Sequence, residues 1–169
     1  MPSIARAWRH LRTSPRTAGR HFPEEALARL HEAITAGETR HHGEVRVVIE
    51  SSMPVSLAWS GTTPRERARA LFAALELWDT ADHTGVLLYI NLADHAVELL
   101  ADRGIDARVD KATWRALCDE LARGLAAGLS IEPVLATVGK INDLLAHHFP
   151  HVDEHGHNPN ELDDRPIVL

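Results

Sequence analysis

Cysteine is almost missing from this 169-residue chain: Cys118 stands alone, which excludes an internal disulfide and suits a reducing compartment. Long apolar runs are missing as well. None approaches the roughly 20 residues that cross a bilayer, and no hydrophobic segment with a small-residue cleavage site opens the chain. A cytoplasmic protein without a transmembrane segment is therefore expected. There is no HExxH pair, no Cys/His spacing of a structural zinc site, no glycine-rich phosphate cradle and no internal repeat, so the classes most readily recognised from spacing are excluded. Acid is missing from one end only. Residues 1–21 hold Arg6, Arg9, Arg12, Arg16 and Arg20 without any Asp or Glu, a local charge of +5, so the total of −6 leaves the remainder at −11. Such an arm either docks on its own acidic domain or meets an anionic surface of lipid or nucleic acid. Self-docking is the preferred reading, and nucleic acid is not the expected partner.

What is present is enough for one ordinary domain, at 44% hydrophobic and 25% charged residues. Ile4, Ala7, Trp8 and Leu11 recur at helical spacing, which predicts a short amphipathic helix whose apolar side packs on the domain, followed by a linker of Ser14, Pro15, Thr17 and Gly19. A second helix runs from Pro23 to Gly37 with Leu27, Leu30, His31 and Ile34 inward. Val45, Val47 and Ile49 alternate with Glu44, Arg46 and Glu50, as in a strand with one less covered face near a sheet edge. Thr63-Pro64-Arg65-Glu66 is a hydroxyl cap, a proline at the first helical position and a glutamate that completes a capping box. Ala68, Leu71, Phe72, Leu75 and Trp78 form the buried stripe of that helix.

Val86 to Ile90 is continuously apolar, as in a strand covered on both faces. The gap from Asn91 to His95 is too short for a helical crossover, so Ala96 to Ala101 must return as an antiparallel partner. Ile105 to Val109 suggests a short further strand. Asp110 caps a helix bearing Trp114, Leu117, Cys118, Leu121 and Leu125. Ser130 caps another with Val134, Val138, Ile141, Leu144 and Leu145 inward. These elements predict an α/β protein, a three-layer α/β/α sandwich whose small mixed sheet combines a parallel crossover with an antiparallel hairpin. The chain divides into a basic arm (1–21), an α/β domain (22–149) and a His/Asp-rich tail (150–169).

The hairpin carries the main functional expectation, because it brings Asp79, Asp82 and His83 to the end of the sheet that holds Asp102 and Arg103, with Glu44 at the same rim. Asp79, Asp82, Asp102 and Glu44 supply hard oxygen donors suited to Ca²⁺ or Mg²⁺. His83 suits proton transfer, and Arg103 suits a phosphate or carboxylate. The plainer reading is that Asp79 and Asp82 shape a turn while Asp102 and Arg103 pair on the surface. His147, His148, His151, His155 and His157 fall within eleven residues, a composition that binds Zn²⁺ or Ni²⁺, although a polar tail with incidental affinity is the preferred reading. His41-His42 reads as a solvated turn. Cys118 shares a helical face with Trp114 and Leu121 and reads as a core residue. Trp59 is expected half exposed, marking a contact surface.

The segments GEVRVVIE, RARALFAALELWDTADHTGVLLYI, HAVELLADRGI, HFP and ELDDRPIVL, in this order from Phe22 to the C-terminus, together resemble the TPM-domain proteins, in particular a short bacterial branch without membrane anchors. The resemblance implies an α/β/α sandwich. Most family members are anchored, extracytoplasmic proteins; thylakoid relatives are associated with photosystem II repair, and a metal-dependent acid phosphatase activity is ascribed to a plant member. Here the loop Asp79-Thr80-Ala81-Asp82-His83-Thr84 replaces a Gly- and Lys-containing one, and Ala101-Asp102-Arg103-Gly104 replaces a Gly-Tyr-Gly-type segment. Together these readings lead to a non-catalytic binding or accessory module with a divalent cation, acting with an unidentified protein partner such as a membrane-bound relative. The alternative is a weak metal-dependent phosphomonoesterase in which Asp79, Asp82 and Asp102 hold the cation, with His83 and Arg103 at the reacting ester.

Overall fold

The computed structural model describes residues 4–80, 82–150 and 163–169. Its centre is a four-stranded sheet in the order β3-β2-β1-β4, formed by β1 (Glu44–Glu50), β2 (Gly85–Asn91), β3 (Ala96–Ala101) and β4 (Ile167–Val168). β1 and β2 are parallel, with Glu44 opposite Gly85 and Glu50 opposite Asn91. β2 and β3 are antiparallel, with Val86 opposite Ala101. The hairpin is thus the one that the short gap predicts, and the parallel pair is the expected crossover.

One correction concerns β1. Its expected edge position is taken by β4, which pairs in parallel with Val48 and Ile49, and the ends are tied by Leu169 N–H to Ile49 O (3.0 Å) and Ser51 N–H to Leu169 O (2.7 Å). Pairing on both sides explains why all but Arg46 of this strand is buried. The short Ile-Val pair carries no periodicity that would reveal it as a strand.

Helices cover both faces of the sheet. α3 (Glu24–Glu38), α7 (Lys111–Ala127) and α8 (Glu132–His148) pack over Val45, Val47, Ile49, Val86, Leu88 and Ile90, presenting Leu30, Ile34, Trp114, Leu121, Val138 and Ile141 among others. α5 (Pro64–Ala74) covers the other face, where Ala68, Leu71 and Leu77 meet Val48, Leu87 and Tyr89. Complete burial of a Leu, Ile or Val side chain contributes about 1.5–3 kcal/mol. These two cores therefore carry most of the folding free energy. Thr63 and Glu66 close the expected capping box at the start of α5, and Asp110 Oδ1 accepts from Ala112 N–H at the start of α7. Ser130 does not cap α8, whose N-cap is Ile131 without a side-chain bond.

Local details depart from the sequence reading where the chain changes direction. α5 stops at Ala74, and Glu76 adopts φ 55°, so the helical phase is lost: Leu77 enters the core and Trp78, expected inside, is 52% exposed. Gly85 accommodates this turn, because a Cβ there would lie 2.0 Å from Leu77 O. Ile105 to Val109 forms no strand; Asp102 instead caps the short helix α6 (Arg103–Asp106), with Ile105 and Val109 still buried. The proposed linker contains α2 (Thr17–His21), which follows α1 (Ile4–Arg12).

α1 docks on its own domain, but with only Ala7 of the expected apolar side turned inward. Arg6 and Arg9 donate to the Asp94 carboxylate, at 2.6 Å and 2.8 Å, His10 lies 3.1 Å from it, and Ala7 and His10 are the buried residues. Asp94 sits in the β2–β3 turn, fixed by its N–H to Asn91 Oδ1. Buried ion pairing outcompetes a narrow apolar stripe for the docked side, and Ile4, Trp8 and Leu11 face outward at 62%, 58% and 62% exposure. α1 also packs on α4 (Val55–Ser60), which occupies the turn-rich stretch and ends at Gly61, with φ 86°.

Candidate metal centre

The amino end of the sheet carries two clusters of polar side chains. The first is built by the hairpin. Asp102 N–H bonds to Gly85 O (2.8 Å) and Gly104 N–H to His83 O (3.1 Å), which brings the loop before β2 against the residues after β3. His83 Nδ1 lies 3.3 Å from Asp102 Oδ2, and Arg103 meets His83 Nε2. His83 is held at φ 55°, a left-handed backbone that a histidine adopts at some cost. Gly104 is the residue that permits this contact: a Cβ there would stand 2.4 Å from Asp82 O and 2.6 Å from His83 O.

His83, Asp102 and Arg103 therefore meet, but the expected cation ligands do not form a set. Asp79 and Asp82 are exposed, and among the described residues neither they nor Asp102 join any group of three metal-binding side chains. What remains at this corner is a histidine flanked by a carboxylate and a guanidinium. The carboxylate meets the imidazole by proximity alone, since Asp102 Oδ2 is buried without a hydrogen-bond partner among the described residues.

Glu44 belongs to the second cluster. It opens β1, with its N–H bonded to Thr84 O (3.1 Å), and its side chain is buried beside those of Glu38 and Asp164. Glu38 is the last residue of α3, and its Oε1 accepts from Val45 N–H (2.8 Å) across the loop that joins α3 to β1. Asp164 is brought in by β4: the segment that leads into this strand runs beside β1, and Asp164 Oδ2 accepts from Thr35 Oγ1 of α3 (2.8 Å). One oxygen from each of the three carboxylates lies within 4.8 Å of the others.

Three carboxylates in a space this small cannot all stay charged without a counter-ion. Burial, together with the nearby Glu44 and Asp164 charges, pushes the Glu38 carboxyl up to about 9, against the lowering effect of the Val45 N–H. The cluster therefore holds a proton at neutral pH. Asp164 is 5% exposed, and a side-chain hydrogen bond shared with Glu38 also helps to raise the Glu38 carboxyl; apart from that carboxyl, no donor among the described residues reaches Asp164 Oδ1. Three converging hard oxygen donors with a shared proton fit a divalent cation such as Ca²⁺ or Mg²⁺, which binds carboxylates at roughly 2.0–2.6 Å.

Sequence reasoning found Glu44 and missed its partners. Glu38 reads as an ordinary helix end, and Asp164 lies in a segment without period. The available signal is the pair of acids, Asp163 and Asp164, separated by two residues from the apolar Ile167-Val168. His41, read as a solvated turn, is fully buried close by, with Nε2 at 3.2 Å from Asn142 Oδ1 and Nδ1 accepting from Gly43 N–H. His147 and His148 pack edge to face at the end of α8, whereas His151, His155 and His157 lie outside the described residues. Cys118 is partly buried, and burial pushes its thiol up to about 11, which makes it a poor nucleophile.

The family model of the TPM domain matches residues 20–143. The chain belongs to the TPM-domain family. This TPM domain is similar to the NMR structure of BA42 protein from the psychrophilic bacterium Bizionia argentinensis, with a TM-score of 0.72 and 22% identity over 85% of this chain and 92% of that one. At that identity the likeness establishes a shared fold. No curated protein matches the chain. The matched region of the TPM domain includes Glu38, Glu44, His83 and Asp102, whereas α1, Asp164 and β4 lie outside it. Among the described residues no helix is long and apolar enough to cross a membrane.

Proposed function

We propose that this chain is a non-catalytic TPM-domain binding module whose state is set by a divalent cation held by Glu38, Glu44 and Asp164. The observation that supports it is the buried carboxylate trio, with one oxygen of each within 4.8 Å of the others. All three donors are hard oxygens, which favours Ca²⁺ or Mg²⁺ over the softer ions. The cation would replace the proton on Glu38 and bridge α3, β1 and the segment leading into β4, three pieces that are far apart in the chain. Cation binding is thereby coupled to the anchoring of the C-terminal strand, a plausible control over what the module presents to a partner. We place that partner among proteins, membrane-bound relatives included, and the setting in the cytoplasm. Titration of chelator-treated protein with Ca²⁺ and Mg²⁺ tests the reading. Binding should weaken at least tenfold in Asp164→Asn and be retained in Asp82→Asn.

The alternative, a weak phosphomonoesterase, draws on the His83–Asp102–Arg103 corner alone. An imidazole between a carboxylate and a guanidinium is the starting arrangement for proton transfer to a phosphate ester. The described residues add no cation ligands at that corner. Metal-stimulated turnover of a generic phosphate ester that disappears in Asp102→Asn would favour this reading over the module.

A further inference from the structure

We propose that the outward face of α1 is a docking surface for an anionic lipid bilayer. The helix is pinned to the domain by Arg6, Ala7 and His10, so Ile4, Trp8 and Leu11 form a fixed stripe at positions i, i+4 and i+7 that the domain leaves in water. The apolar surface does not end there. Leu11 and Val55 stand on the rim of one cleft of about 520 Å³ that also holds the paired Glu50 and Arg67, and on α4 Val55 and Trp59 are 40% and 51% exposed. Neither helix contains an acid. Five large side chains, two of them tryptophans, thus stand exposed on two adjoining helices.

Charge selects the occupant. Arg9, Arg12, Arg16 and Arg20 are exposed on α1 and the turn and helix that follow, and the last three form no ion pair among the described residues. Arg9 is engaged by Asp94, so Arg12, Arg16 and Arg20 are left to meet lipid phosphates while Ile4, Trp8 and Leu11 enter the acyl boundary. Exposed tryptophans suit the headgroup level, because the ring is apolar and its N–H is not. A second copy is a poor occupant, since a symmetric contact through this face would bring two sets of arginines together. Nucleic acid would satisfy the arginines and leave the stripe in water. The acidic remainder of the chain is repelled by the same membrane, which fixes the orientation with the arm towards the lipid.

Flotation with phosphatidylcholine vesicles, with and without phosphatidylglycerol, tests this on the full chain. Wild type should float with the anionic vesicles only, and less as salt is raised. Trp8→Ser and Leu11→Ser should each lower the partition at least tenfold, and Arg12→Gln and Arg16→Gln about fivefold each. These side chains are exposed, so unchanged thermal unfolding of the variants shows that folding is not the cause. Absence of flotation with anionic vesicles overturns the proposal, as does flotation that Trp8→Ser and Leu11→Ser leave intact. Concentration-dependent dimerisation abolished by Leu11→Ser, without vesicle binding, would give the face to a second copy and also overturns it. Salt-sensitive nucleic-acid retention without vesicle binding would do the same.

Discussion

Replacing Glu38 by glutamine should stabilise the cation-free protein at neutral pH, and the size of the effect follows from the buried carboxylates. The folded chain holds the Glu38 carboxyl at about 9, whereas an unfolded chain ionises it near 4.5. Folding at pH 7 must therefore take up a proton across roughly 2.5 pH units, which opposes folding by ~3 kcal/mol. Because the folded value is raised, the contribution of protonated Glu38 is fully present below about 4.5 and is lost progressively as pH rises towards about 9. Glutamine has nearly the same shape, keeps an oxygen for Val45 N–H and carries no charge in either state. Urea unfolding in the presence of a chelator should find the two proteins similar near pH 4. By pH 7 Glu38→Gln should be ahead by about 3 kcal/mol, with the gap still widening at pH 8. Saturating Ca²⁺ or Mg²⁺ should stabilise wild type more than the variant, by about 2.7 kcal/mol at a hundredfold excess over Kd. Parallel stability curves for the two proteins from pH 4 to 8 would refute the reasoning.

Burial alone pushes the Asp94 carboxyl up, but hydrogen bonds from Arg6 and Arg9 and the charges of His10 and Arg6 outweigh it and bring it to about 2. Its contribution is present above about 3.8 and lost as pH falls towards 2, so Asp94→Asn should cost about 2 kcal/mol at pH 7 and expose α1 to proteolysis; limited digestion followed by mass spectrometry reads this. Gly104→Ala should destabilise by about 1–3 kcal/mol, because its Cβ meets the carbonyls of Asp82 and His83 and not a side chain that can turn away. The same substitution should broaden the His83 imidazole signals in NMR as the corner loosens. Gly85→Ala should be at least as costly in denaturant unfolding, since its Cβ would overlap Leu77 O.

The parts of the fold legible in the sequence are those with local signals. The capping box at Thr63 and Glu66 marks where α5 starts, and the unbroken apolar run from Val86 to Ile90 marks a strand buried on both faces. The short gap to Ala96 dictates a hairpin. Non-local features were hidden. β4 is two residues long and takes its identity from pairing with β1, so neither the interior position of β1 nor the approach of Asp164 to Glu38 could be seen in any one segment. α1 shows how magnitudes decide between two amphipathic solutions: three arginine and histidine contacts to one buried carboxylate outweigh a stripe of three apolar residues. Trp78 was misplaced because one left-handed residue, Glu76, shifts the phase of everything after it. At the candidate site the rim corner was foreseeable from hairpin geometry, whereas the buried trio required the position of the last seven residues.

Calorimetric titration of Ca²⁺ and Mg²⁺ into chelator-treated protein at pH 8 tests the central claim most directly when three proteins are compared: wild type, Asp164→Asn, and a chain with His151, His155 and His157 all replaced by serine. One cation should bind wild type and the serine-replaced chain alike, with release of close to one proton read from the buffer dependence of the enthalpy, and Asp164→Asn should bind at least tenfold more weakly. Equal binding by wild type and Asp164→Asn, or binding that vanishes with the three histidines, would contradict the account.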